Sequence, residues 1–85
     1  MFAALFNQDK ITLGQLRDAA VSVETKEQAA LFLAQYTKWL ELQGVDDPER
    51  IARVNVGYLV GYYSEVTRKR VYELFELNHP ILGNI

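Results

Sequence analysis

The stretch from Gly57 to Tyr63 constrains the fold most, because it repeats glycine and tyrosine four residues apart inside a largely apolar segment. Gly57 and Gly61 would share one face of a helix, as would Tyr58 and Tyr62, since positions four apart are neighbours on a helix surface. Glycine lowers the stability of a helix interior, so two glycines on one face predict that another backbone comes close there. We expect this packing within the chain, and a seam between two identical copies is the alternative.

The helix that contains this stretch has clear start signals. Asp47 can cap it, Pro48 suits its first position, and Glu49 places an acid in its first turn. Residues 54–63 are also rich in β-branched and aromatic side chains, which is typical of a strand. The start signals favour a helix over residues 48–63. Because its second half is apolar on nearly every side, we expect it to be central, with contacts on more than one side.

A second helix is predicted over residues 26–43. Thr25 and Gln28 match a capping box at its start, and Gly44 stands where a left-handed residue ends many helices. This segment also has a continuous apolar face at the helical period. The residues of that face are Ala29, Phe32, Leu33, Tyr36, Trp39 and Leu40.

Two further helices complete the predicted architecture. Ser64 can cap a helix over residues 65–77, and Thr12 can cap a short helix over residues 12–20. Residues 1–11 are expected to add one more turn that docks on the others. The sequence thus predicts an all-α fold, a small bundle of three main helices plus a short N-terminal one.

Composition limits the size and the class of this fold. A chain of 85 residues has room for one domain, so residues 1–85 are expected to form a single helical domain. The chain has no cysteine, which excludes disulfides and thiolate metal sites and fits a cytoplasmic location. Its net charge of −2 does not favour binding to DNA or to an acidic membrane. The longest nearly apolar run, Val54 to Tyr63, is about half the length of a membrane-spanning helix.

Two tyrosines and two arginines lie close together in the sequence and could bind an anion. Tyr62 and Tyr63 could stack on a nucleobase, while Arg68 and Arg70 could hold a phosphate. Cations in the first turn of a helix oppose its dipole, which is unfavourable unless an anion or acidic partner is present. The alternative is that the tyrosines belong to the core and the basic turn is solvated.

The residues needed for catalysis or metal binding are not grouped in this sequence. His79 is the only histidine, and no carboxylate stands at a ligand-like spacing from it. No glycine-rich phosphate loop and no nucleophile with an adjacent base is visible. We therefore expect a protein that is not an enzyme and needs neither a cofactor nor a metal.

Residues 11–25 resemble the start of the helix-turn-helix regulators of the mercury-resistance family. The resemblance rests on Ile-Thr-Leu-Gly-Gln-Leu at the start and Val-Ser-Val-Glu-Thr at the end of this segment. It implies DNA binding by residues 11–36, with the helix after Thr25 in the major groove. The sequence departs from that family because the turn glycine is missing, the spacing is one residue short, and the arginine–aromatic start of the recognition helix is absent.

Residues 23–83 resemble a family of short uncharacterised proteins common in bacteriophage and prophage genomes. Its members read G-Y-x-x-G-Y-Y, then T-R-x-R-V-x-x-L-F, then H-P-I-F-G, and Leu82 replaces the last phenylalanine here. The matching residues are Thr25 to Ala29, Ile51 to Arg53, Asn55, Gly57-Tyr58, Gly61 to Tyr63, Thr67-Arg68, Val71, Leu74-Phe75 and His79 to Gly83. The resemblance implies an origin and a shared fold, and no activity.

The apolar content points to a function in protein–protein contact. Apolar residues make up 49% of the chain and aromatic residues 12%, which is more than one small core can hide. We therefore expect a homo-oligomer that also contacts another protein. Phe2 and Phe6, the apolar tail at 81–85 and the Gly57/Gly61 pair are its expected contact surfaces. Ligand sequestration at the Tyr/Arg cluster and DNA binding are the alternatives.

Overall fold

The computed structural model of the chain describes residues 2–77, apart from the side chains of residues 2, 3 and 62. The described part contains no strand, and the predicted all-α fold is confirmed. Its helices are α1 (Phe2–Phe6), α2 (Leu13–Val21), α3 (Lys26–Leu42), α4 (Pro48–Leu59), a 3₁₀ turn (Val60–Tyr62) and α5 (Glu65–Leu74).

The helices pack around α3 and α4, which form the most extensive helix pair. The short connection between them makes them antiparallel neighbours. Helix α1 lies on α3, α2 lies on α4, and α5 contacts both α2 and α3. The helix predicted over residues 48–63, now α4, was expected to be central, and in the structure it shares that position with α3.

An aromatic cluster forms the middle of the core. The ring of Phe32 on α3 is fully buried. Phe6 from α1 and Phe75 after α5 meet it edge-on, with ring centroids 5.5 and 5.6 Å away. Phe6 also stacks on Tyr36 at 5.6 Å. This arrangement brings α1 and the end of α5 onto one side chain of α3.

Three helices begin as the sequence predicts, with a side-chain oxygen accepting a backbone hydrogen bond. Thr12 and Gln15 form a complete capping box at α2, with bonds of 2.9 and 3.1 Å. Ser64 accepts from the third residue of α5. Thr25 accepts from the Gln28 amide at α3, but the Gln28 side chain accepts from the amide of Glu24 rather than Thr25. One of the two hydrogen bonds of the predicted capping box is therefore present at α3, and the second comes from the residue before the predicted donor.

Asp47 does not cap α4 through its side chain, which corrects the sequence prediction. Its backbone is left-handed, with φ of 52°, and no side-chain cap bond forms. Its carboxylate instead accepts a 2.7 Å hydrogen bond from the Arg50 guanidinium in the first turn. The start of the helix at Pro48 was predicted correctly.

Two helices end more than one residue away from the predicted position. Helix α4 gives way at Val60 to a single 3₁₀ turn instead of continuing to residue 63. Helix α5 ends at Leu74 rather than at residue 77. Its end is set by Glu76, which takes a left-handed conformation with φ of 54°. Left-handed backbone is uncommon for a non-glycine residue, so no residue type at this position predicts a helix end there.

The same backbone motif closes α3 and α5. At α3, the amide of Gly44 donates to Glu41 and that of Val45 donates to Leu40, both at 3.0 Å. At α5, the amide of Glu76 donates to Glu73 at 3.2 Å and that of Leu77 donates to Tyr72 at 2.9 Å. These two bonds define the Schellman motif, whose left-handed residue is usually glycine. Gly44 follows this rule, as predicted, and Glu76 does not.

We expect Glu76→Gly to raise the free energy of unfolding by about 0.5–1 kcal/mol, because glycine adopts the left-handed conformation without a steric penalty. The same substitution removes the exposed Lys26–Glu76 ion pair, 4.0 Å long, which reduces this gain in unfolding free energy only slightly. The matched control is Gly44→Ala, which should lower it by about 1 kcal/mol at the equivalent position of α3. Urea denaturation followed by circular dichroism measures both. A Glu76→Gly protein no more stable than the parent would contradict this account.

Candidate functional site

The structure does not assemble the predicted Tyr/Arg cluster into one anion site. Arg68 and Arg70 are two positions apart on α5 and therefore project about 200° from each other around the helix. Arg70 is engaged elsewhere, since its Nη2 donates a 2.7 Å hydrogen bond to the Val21 carbonyl. Tyr63 is half-buried, and the side chain of Tyr62 lies outside the described residues. The two arginines therefore do not converge on one point, and anion binding by this cluster stays a prediction.

Arg70 ties α5 to the end of α2. Val21 is the last residue of α2, where unpaired carbonyls carry the negative end of the helix dipole. A guanidinium that donates to one of these carbonyls satisfies it and offsets that partial charge. The two partners are 49 residues apart, and no local pattern in the sequence signals such a bond.

Arg68 faces the interior side of α5. It is half-buried, and its Nε is buried with no hydrogen-bond partner among the described residues. A buried donor without a partner lacks the hydrogen bond that would offset its desolvation. Of the two arginines of the predicted cluster, Arg68 is therefore the one whose buried donor lacks an acceptor.

The two glycines of the central stretch have different surroundings. A Cβ atom added at Gly57 would lie 3.2 Å from the Tyr72 hydroxyl oxygen, whereas one added at Gly61 would have no neighbour within 4 Å in the part of the chain that the structure describes. Gly57 thus makes room for a side chain of α5 within the chain. This corrects the expectation that a second backbone approaches both glycines. Gly61 is exposed.

Phe6, expected at a contact surface, packs within the chain. It contacts Phe32 and Tyr36 as part of the aromatic cluster in the core. A nearby hydrogen bond of 3.2 Å from Trp39 Nε1 to the Gln8 carbonyl also holds the N-terminal segment on α3. The Phe2 side chain and the tail at 81–85 lie outside the described residues.

An exposed apolar face remains on α4. Val54 and Tyr58 are 41% and 76% exposed, respectively, and lie on one side of the helix. Half-buried Ile51 and exposed Gly61 continue this side at its two ends. We call these four residues the α4 outer face. The sequence predicted α4 to be covered on more than one side, and this side is open within the described chain.

A groove of about 730 Å³ runs between α3, α4 and the end of α5. Its floor is mainly apolar, and its rim carries charges of both signs. The floor residues are Ala30, Leu33, Ala34, Thr37, Leu74 and Phe75, and the rim residues are Lys26, Glu27, Lys38, Glu41, Glu49, Arg53 and Glu76. The Lys26–Glu76 pair bridges one end of it. No sequence pattern pointed to this groove, because its walls come from three separate segments.

The described residues offer no support for metal binding or for crossing a membrane. Within residues 2–77, no three histidine, cysteine, aspartate or glutamate side chains are grouped to hold a metal ion. None of the helices in this range is long and apolar enough to cross a membrane. Helix α3, the recognition helix implied by the DNA-binding resemblance, carries two lysines and two glutamates and is therefore neutral.

Comparison of the chain with protein-family models, with curated proteins and with solved structures found no match.

A partly buried polar pair joins α3 to α4. Asn55 Nδ2 donates a 2.9 Å hydrogen bond to the hydroxyl of Tyr36, whose side chain is almost fully buried. Burial raises the pKa of Tyr36 above its ordinary value, and the bond from Asn55 lowers it by a smaller amount. The sequence placed Tyr36 in the core but did not identify its partner.

The raised pKa of Tyr36 predicts a loss of stability at alkaline pH. The folded state favours the neutral phenol of Tyr36, which therefore contributes to the free energy of unfolding. This contribution is complete below about pH 10, the pKa of tyrosine in the unfolded chain, and it is lost as the pH rises through the higher pKa of Tyr36 in the folded protein. Replacing Tyr36 with Phe should make the fall in unfolding free energy above pH 10 shallower. Tyr58→Phe, which removes the hydroxyl of an exposed tyrosine, is the matched control against which the slope of Tyr36→Phe is compared. Urea titrations at several alkaline pH values test this, and equal slopes for all three proteins would contradict it.

Proposed function

We propose that this chain is a small, non-enzymatic cytoplasmic accessory protein of phage or bacterial origin that acts through protein–protein contact and associates with itself. The observation that carries the proposal is the α4 outer face. Tyr58 leaves most of its surface in water although it lies on a helix of the central pair. Exposed apolar side chains grouped on one helix face are typical of interaction surfaces.

A second copy of the chain is the partner that best fits this face. If two α4 helices pack antiparallel about a twofold axis near residue 56, Tyr58 of one copy lies over Val54 of the other. The same axis places Ile51 over Gly61. Each larger side chain then meets a smaller one, and the twofold axis repeats the fit at both ends.

The charges on this face also permit self-association. The only charged residue on this side of residues 50–61 is Arg50, and its guanidinium already donates to Asp47 at 2.7 Å. Two copies can therefore meet without bringing unpaired like charges together.

The size of the face sets the expected affinity. A helix of 12 residues is about 18 Å long, so the contact buries less than the roughly 800 Å² per partner of a standard stable complex. We therefore expect a reversible, concentration-dependent dimer. The same face would serve a heterologous partner that offers an apolar helix.

Introducing a charge on this face should weaken the dimer. We expect Tyr58→Lys to raise the dissociation constant at least about tenfold, because a charge replaces an apolar contact near the twofold axis. Leu42→Lys is the matched control, since Leu42 is also 76% exposed but lies at the end of α3. Sedimentation velocity over a wide concentration range, with circular dichroism to verify folding, gives the comparison.

Two results would overturn this proposal in different ways. A parent protein that stays monomeric at every concentration would exclude self-association. A dimer weakened equally by Tyr58→Lys and Leu42→Lys would retain self-association but exclude the α4 outer face as its site.

Anion sequestration is a second candidate, favoured by the buried and unpartnered Nε of Arg68. With pyrophosphate as the probe, Arg68→Gln should weaken binding at least about tenfold, because the charged donor is lost. Arg70→Gln should retain the affinity, since Arg70 bonds to Val21. Isothermal titration calorimetry distinguishes the two variants. No binding to the parent, or equal binding to both variants, would reject this candidate. DNA binding by residues 11–36 is less favoured because α3 is neutral.

A further inference from the structure

We propose that a second copy of this chain also docks on the outer side of α3. Four exposed residues define this surface, Glu27, Leu31, Ala34 and Lys38, and we call them the α3 outer face. The inference rests on the proposed function in one respect, that copies of the chain associate. The α3 outer face shares no residue with the α4 outer face, so the two contacts can be tested separately.

The α3 outer face lies opposite the side of α3 that enters the core. Its residues follow one another at spacings of four, three and four, so they form one stripe along the helix. Phe32 and Tyr36 project to the opposite side and are almost fully buried. Leu31 is 47% exposed, and Ala34 beside it is exposed as well. Within the described chain the stripe is therefore an open face, with apolar residues at its centre and one charge at each end.

The charges on this part of α3 are few and unpaired. Glu27 and Lys38 are the only charged residues between positions 27 and 38. Neither side chain forms an ion pair with another of the described residues. The positions that flank the stripe are uncharged, and they are Gln28, Ala30, Gln35 and Thr37. A docked partner therefore meets one acid and one base, placed at opposite ends of an uncharged surface.

A second copy of the chain supplies the matching charges. If two α3 helices pack antiparallel about a twofold axis between residues 32 and 33, Glu27 of each copy lies over Lys38 of the other. The same axis places Leu31 of each copy over Ala34 of the other, so a larger side chain meets a smaller one. Glu41 continues the stripe beyond Lys38, and in this arrangement it lies past the first residue of the other α3. Opposite charges thus meet at both ends of the contact, with apolar residues between them.

Other arrangements of the same two faces lose this fit. Parallel helices would bring Glu27 beside Glu27 and Lys38 beside Lys38, which places like charges together. A slip of seven residues along the antiparallel pair keeps the two stripes in contact but separates Glu27 from Lys38 by about 10 Å. The charges therefore specify both the direction and the register of the pair.

The length of the stripe sets the strength of this contact. From Glu27 to Lys38 it is about 17 Å long at the rise of an α-helix, so the contact is smaller than that of a standard stable complex. We therefore expect weak association through this face alone. Together the two faces give each copy two neighbours, so assembly continues past a dimer at high concentration.

Charge reversal tests this contact in a protein that carries Tyr58→Lys, so that the α4 outer face contributes little. Glu27→Lys and Lys38→Glu each place like charges at both ends of the contact. In an equimolar mixture of the two variants, each copy of one meets opposite charges on a copy of the other. Glu73→Lys, at an exposed position of α5, makes the same change in net charge as Glu27→Lys and is the matched control. Sedimentation equilibrium gives the dissociation constants, and circular dichroism verifies folding.

The expected result is a dissociation constant at least about tenfold higher for each charge reversal than for the Tyr58→Lys protein, because two pairs of like charges replace two attractive pairs. The mixture should recover to within about threefold of the Tyr58→Lys protein, and Glu73→Lys should stay within the same range. Recovery on mixing two weakened variants requires that Glu27 and Lys38 face each other across copies.

Three results would overturn the inference. The charge reversals could leave association unchanged, or the mixture could associate no better than its components, and either result would show that the two charges do not meet. A Tyr58→Lys protein that is monomeric at every concentration would show that the α3 outer face does not associate alone. The α4 outer face is judged separately, by the loss of association that Tyr58→Lys causes in the parent protein.

Discussion

The burial of Phe32 is the interaction on which the rest of the structure depends. Its ring contacts α1 through Phe6 and the end of α5 through Phe75, while its own helix pairs with α4. Loss of a buried aromatic ring costs about 3–5 kcal/mol, which is a large share of the 5–15 kcal/mol that stabilises an ordinary domain. In a chain this short, one side chain therefore sets the positions of three helices.

This arrangement also decides which apolar residues stay outside. The core uses the inner sides of α3 and α4, and α2 and α5 cover much of what remains. Val54 and Tyr58 lie opposite the core on α4, where no described helix reaches them. Part of the apolar excess visible in the composition is thus located on this face of α4, and the other exposed large apolar residues are Leu13, Leu31, Leu42 and Val66 on other helices. The same packing leaves the groove beside α3, because α5 ends at Leu74 and does not extend along it.

The parts of the fold that local signals determine were predictable, and those that depend on distant partners were not. Thr12, Ser64 and Gly44 act on backbone groups a few residues away, so their roles follow from the sequence. The bond from Arg70 to Val21 and that from Asn55 to Tyr36 join segments far apart, and no spacing reveals them. Of the four residues of the predicted anion cluster, three have described side chains, and Arg68 is the one of these three with a buried donor that lacks a partner among the described residues. The groove was missed because three segments build it.

The docking of α1 has an optical consequence. Five residues are too few to form a stable helix alone, so α1 exists as a helix only while Phe6 is held against α3. The single tryptophan of the chain, Trp39, shares this contact region through its bond to the Gln8 carbonyl. Release of the N-terminal segment would break that bond and hydrate the indole while α3 stays folded. Indole emission therefore reports the opening of this one cooperative unit separately from global unfolding, without an added label.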